Sequence, residues 1–68
     1  MNKTILTKRE REVFTLLIEN KTTKEIANFL GISEKTVRNH ISNAMQKLGC
    51  NGRAGAVIEL IKLGEITI

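Results

Sequence analysis

Apolar residues recur along this chain at intervals of three and four; the first three periodic runs open on a polar cap, and each run closes on Asn or Gly. Val13, Phe14, Leu17 and Ile18 form the first run, behind Thr7-Lys8-Arg9-Glu10. That opening is a capping box, in which the Thr7 hydroxyl accepts from an orphan N–H while Glu10 reaches back. Asn20 is its terminator, because Asn tolerates left-handed backbone better than most non-glycine residues. Thr22-Thr23-Lys24-Glu25 opens a second, short run with Ile26, Ala27, Phe29 and Leu30 facing inward, and Gly31 follows where the chain must turn. Ser33 caps a third and longer run of Val37, Ile41, Ala44, Met45 and Leu48, which Gly49 ends. A fourth begins near Asn51 or Gly52, continues through Ala54, Val57, Leu60 and Ile61, and stops at Gly64. The pattern predicts one all-α domain of four helices, at about residues 7–19, 23–30, 34–48 and 52–63. Ile66-Thr67-Ile68 has β-branched character but is too short to assign.

The spacing of helices two and three carries chemistry. Ala27, Gly31 four residues later and Val37 six beyond that match a helix-turn-helix: a small residue at the helix contact, a glycine in the turn, a branched anchor in the second helix. The three-point pattern alone is common. Away from the Val37–Leu48 stripe, however, helix three carries Lys35, Arg38, Asn39, Ser42, Asn43 and Gln46, with no acid among them. Arg pairs with guanine O6 and N7, Asn and Gln with adenine N6 and N7, and Ser with several base edges. An ordinary solvated helix interleaves Glu with its Lys. The only acid here, Glu34, lies in the first turn, where the helix dipole favours it. The polar face therefore reads as a recognition helix for the major groove of double-stranded DNA.

Composition agrees and sets limits. The 68 residues carry 11 Lys and Arg against 7 acids, all Glu, for a formal charge of +4. A pI near 9.7 suits a polyanionic partner without proving one. A core in a chain below about 70–80 residues rarely supplies more than about 3–5 kcal/mol, so a staple is expected. One cysteine and one histidine leave neither a disulfide nor a zinc spacing, which makes a homodimer the expected staple. Cys50 reads as a small buried hydrophobe rather than a redox sensor. His40, one turn after Thr36, reads as a packing and phosphate-adjacent residue. No signal-peptide h-region and no apolar run of about 18–20 residues is present, so a soluble cytoplasmic protein with no membrane partner is expected. No cofactor, metal or small-molecule ligand is implied.

Three other classes fit these residues less well. An enzyme lacks the raw materials: no Asp, no Tyr, no paired carboxylates, and too little chain to enclose a pocket. A single-strand RNA binder needs an aromatic platform, and Phe14 and Phe29, the only aromatics, both lie on apolar stripes. A protein-interaction module, such as a helical domain docking on polymerase, would tolerate acids on its third helix.

The chain also resembles the LuxR/GerE-type helix-turn-helix regulators. The resemblance is carried by Leu6-Thr7-Lys8-Arg9-Glu10-Arg11-Glu12-Val13, Lys24-Glu25-Ile26-Ala27, Ile32-Ser33-Glu34-Lys35-Thr36-Val37, His40, Lys47-Leu48, Arg53 and Ala56. Lys21–Ala27 and Ser33–Gly49 are especially like the stand-alone members of late endospore formation, a role the likeness implies for this chain. By position it implies base reading by Arg38, Asn39 and Ser42, with Lys35 and Asn43 flanking. It implies DNA-backbone contacts at Thr22, Thr23, Thr36 and Lys47, and a homodimer through helix four. Ala54, Val57, Glu59 and Ile61 are the candidate dimer contacts, although core-facing and partner-facing residues are not separable here by sequence. RNA polymerase is the implied further partner, with exposed residues of helix one or two as contacts; activation and repression stay equally open. Met1 lies a few residues before helix one, which predicts a stand-alone regulator controlled by its abundance; an excised domain with an added methionine would read the same. Asn20 stands where the family often has glycine. Gly55 inside helix four costs about 1 kcal/mol against Ala, for close approach across a dimer or simply a weaker helix.

Overall fold

The computed structural model describes residues 6–64, and the Ile66–Ile68 segment lies outside them. Its elements are α1 (Lys8–Ile18), α2 (Thr23–Leu30), α3 (Glu34–Leu48) and α4 (Arg53–Lys62). No strand occurs among the described residues. The long α3 is the hub, against which α1, α2 and α4 all pack.

Local chemistry sets the boundaries. Thr7 and Thr22 each close a complete capping box, with Glu10 and Glu25 reaching back to the cap N–H at 2.9 and 2.8 Å. Ser33 accepts from the Thr36 N–H at 3.1 Å and shares a 2.9 Å hydrogen bond with its hydroxyl. Thr7 is thus a cap rather than the first helical residue, and Glu19 is the corresponding cap at the other end of α1. Beyond it Asn20 adopts φ +69°, and the Lys21 N–H donates back to the Leu16 carbonyl at 3.1 Å, as in a Schellman closure. Gly31 does the same work after α2 at φ +71°, which lets the Ile32 N–H reach the Ala27 carbonyl at 3.0 Å.

Each helix contributes to one core: Leu6, Val13 and Phe14, then Ile26 and Ala27, then Val37, Ile41 and Ala44, and finally Ala56 and Leu60. Leu17, Ile18, Leu30, Met45, Leu48 and Cys50 pack around it partly buried. Cys50 is half-buried and free, its thiol 3.7 Å from the Leu48 carbonyl. Phe29 departs from the inward position expected of it: it is 77% exposed. It stands one residue before Leu30 and is therefore turned about 100° from the stripe that Ile26, Ala27 and Leu30 bury. With Leu16 of α1 it lines two surface clefts. The case against stacking on single strands consequently rests on there being one exposed ring rather than none.

Glu10 ties the assembly together. It is 3% exposed, and its Oε1 accepts both the Thr7 N–H and, at 2.7 Å, the Lys47 ammonium from the far end of α3. Burial pushes the Glu10 carboxyl up. The Lys47 hydrogen bond, the two Thr7 donors and the Lys47 charge together outweigh it, so the group titrates below its ordinary value. No buried side-chain nitrogen or oxygen among the described residues lacks a hydrogen-bond partner.

Candidate nucleic-acid interface

The helix-turn-helix is built from α2, the turn at Gly31-Ile32-Ser33, and α3. Val37 is fully buried beneath the turn and Ala27 lies in the same core, so the two helices meet at the positions the spacing assigned. With Val37, Ile41 and Ala44 committed inward, the rest of the α3 sequence is forced outward by helical geometry. Lys35, Arg38, Asn39, Ser42, Asn43 and Gln46 are all exposed, in a continuous row over three turns. All five proposed base readers therefore lie on one face.

The four residues assigned to the DNA backbone are placed less uniformly. Thr22 is exposed at the N-cap of α2, with Thr23 half-buried beside it. The free N–H groups and positive dipole end of that first turn favour an anion. Thr36 is half-buried in the first turn of α3, its hydroxyl bonded to Ser33. Lys47 is exposed, but its ammonium is already bonded to Glu10. The sequence offered no sign of that partner, because the two residues lie 37 positions apart. His40 is half-buried on α3.

Glu34 has more partners than its position near the helix dipole suggested. Its Oε1 accepts from the Arg38 Nη2 at 3.2 Å and from the Thr23 hydroxyl at 3.3 Å. One carboxylate thus links the first turn of α2 to the principal proposed base reader.

On α4, Ala56 and Leu60 face the core. Of the candidate dimer contacts, Ala54 is exposed, whereas Val57, Glu59 and Ile61 are half-buried, Val57 and Ile61 packing against the core. Ile58, which the sequence reading did not name, is 55% exposed and one turn beyond Ala54. Its signal was the composition of α4, in which Glu59 is the one charged residue from Ala54 to Ile61; so broad an apolar arc exceeds what the core alone buries. Among the described residues no three His, Cys, Asp or Glu side chains converge as a metal site, and no helix is long and apolar enough to cross a membrane.

The helix-turn-helix itself has independent support. The model of the luxR family of bacterial regulatory proteins matches residues 4–60. The chain belongs to this family. It is 69% identical over 67 residues to the spore germination protein GerE of Bacillus subtilis, covering 98% of this chain and 90% of that one. It is 47% identical to the transcriptional regulatory protein DegU of Brevibacillus brevis, covering 94% of this chain but 27% of DegU. A solved structure of the transcription factor GerE superposes with a TM-score of 0.93 at 57% identity, over 96% of this chain and 97% of that one. The fold is accordingly the all-α GerE type, and this luxR-family member is a DNA-binding transcription regulator rather than an enzyme.

Proposed function

We propose that the chain acts as a homodimer that sets two copies of α3 into successive major grooves, about 34 Å apart, on a degenerate inverted repeat. The observation that carries this reading is the exposed row Lys35, Arg38, Asn39, Ser42, Asn43 and Gln46. Arg38 reads guanine, Asn39 reads adenine, Ser42 completes the central contact, and Lys35 and Asn43 flank them. Thr22, Thr23 and Thr36 hold phosphates at the starts of α2 and α3. Lys47 contributes to the phosphate field with the two ammonium hydrogens that Glu10 leaves unused.

The dimer forms through α4, where Ala54, Val57, Glu59 and Ile61 are joined by Ile58. An exposed isoleucine on a small domain in need of a staple supports this arrangement. The protein works in the cytoplasm on promoters of late spore formation, a role supported by the 69% identity to a spore germination protein. RNA polymerase is its second partner, met through exposed residues of α1 and α2, of which Phe29 is the most apolar. Contact with polymerase gives activation, and occupancy of a promoter gives repression.

Arg38→Ala tests the base-reading assignment. It should cost about 1–3 kcal/mol on a specific duplex and flatten the preference at one base pair, with little loss on scrambled DNA. An unchanged ranking of binding sites would contradict the assignment.

A further inference from the structure

Glu34 is a carboxylate at the start of the proposed DNA-facing side of α3, whose exposed row is otherwise cations, amides and the Ser42 hydroxyl. As an exposed ion pair, 40% and 56% open at its two side chains, Glu34–Arg38 contributes little to folding. The same pair fixes a direction. Arg38 has several rotatable bonds, and its guanidinium can otherwise reach either a base edge or the neighbouring phosphate. Glu34 Oε1 holds the Nη2 end at 3.2 Å, and the Thr23 hydroxyl from α2 braces that oxygen at 3.3 Å. Only part of the guanidinium donor set is occupied, so its remaining N–H groups stay available for guanine O6 and N7. A guanidinium swung onto phosphate would lose the Glu34 contact and leave the carboxylate facing a phosphate of like charge.

We propose that Glu34 is a positioning residue for base readout, holding Arg38 toward the base edges and penalising its capture by the DNA backbone. The inference rests on the reading of Arg38 as a base reader. One consequence concerns Thr23: its hydroxyl hydrogen is committed to Glu34, so its contact with phosphate runs through the backbone N–H at the start of α2.

The test is duplex selection and titration with purified wild type, Glu34→Gln, Thr23→Val, Arg38→Ala and the Glu34→Gln/Arg38→Ala double variant, at several salt concentrations. Glu34→Gln should bind scrambled duplex severalfold more tightly. Its dependence of log K on log salt should steepen by about 0.9, the increment for one added phosphate contact. Preference at the base pair read by Arg38 should fall about threefold, in keeping with an exposed ion pair. Thr23→Val, which removes the brace and keeps the charge, should lower that preference by a smaller factor. In the Arg38→Ala background Glu34→Gln should change the preference no further. Unchanged preference and salt slope in Glu34→Gln would overturn the inference while Arg38→Ala still shows its own effect. An equal loss of preference in both backgrounds would also overturn it, because Glu34 would then act without Arg38. If Arg38→Ala itself leaves the ranking unchanged, the base-reading assignment fails and this inference with it. Thermal melts of each variant separate altered recognition from altered folding.

Discussion

Glu10 and Lys47 act on stability at the level of single side chains. The folded Glu10 carboxyl titrates below its ordinary value of 4.5, so its contribution is present above that pH and is lost as the pH falls through the lower folded value. Lys47→Met leaves the carboxylate buried without its cation. Loss of one partner of a fully buried pair costs about 3–5 kcal/mol. Lys47 is 37% exposed, which puts the expected cost at or below the lower end of that range. Thermal melts over a pH series check this: wild type should lose Tm on acidification below 4.5 while Lys47→Met loses less, because protonation relieves its stranded charge. Parallel curves for the two proteins would contradict the account. At this scale the capping boxes were legible because Thr and Glu stand three residues apart. The Glu10–Lys47 bond was not, since it depends on how two helices pack. The polar row of α3 was legible as a list of exposed residues, whereas the Glu34 link to Arg38 and Thr23 needed coordinates.

Individual helices show where periodicity succeeds and where it gives out. The stripe of α3 is long and one-sided, so its inward residues and its exposed face followed from spacing alone. In the eight-residue α2 a single step of rotation separates buried from exposed, and Phe29 falls on the exposed side. In α4 the apolar residues cover more than half of the circumference, which is why Ile58 could not be told from its neighbours. Two substitutions address these elements. Gly31→Ala should destabilise by about 1–2 kcal/mol through left-handed backbone strain alone, because a Cβ there meets no atom within 4 Å. Chemical denaturation measures this, and a stabilised variant would contradict it. Gly55→Ala likewise has open space in the monomer and should strengthen α4 by about 0.5–1 kcal/mol. Denaturation at low protein concentration gives that gain. Sedimentation then decides between the two readings of Gly55: weaker dimerisation by Gly55→Ala means that a partner helix passes close to it, and unchanged dimerisation means that it is only a weak point of the helix.

In the proposed account the molecule joins a recognition surface on α3 to an association surface on α4, and one core holds both helices. Their coupling predicts that Ile58→Asp, on an exposed position, will leave the fold and the contacts of one half-site intact. It should abolish dimerisation and, with it, any requirement for a second half-site at fixed spacing. A monodisperse dimer of Ile58→Asp in sedimentation would contradict the placement of the interface. The fold class was legible at this scale because four helical runs, the first three with side-chain caps, admit few other arrangements. The proposed partner-facing side of α4 was not, because Ile58 carries the same apolar chemistry as the residues α4 turns to the core.

The most direct test of the central claim is selection of wild-type protein on a randomised duplex pool at two salt concentrations, followed by sequencing. The account predicts an enriched inverted repeat whose half-sites are centred about one helical turn apart and whose enrichment persists at the higher salt. Salt-sensitive binding with no enriched sequence would contradict it, leaving a basic helical domain that holds DNA by charge alone.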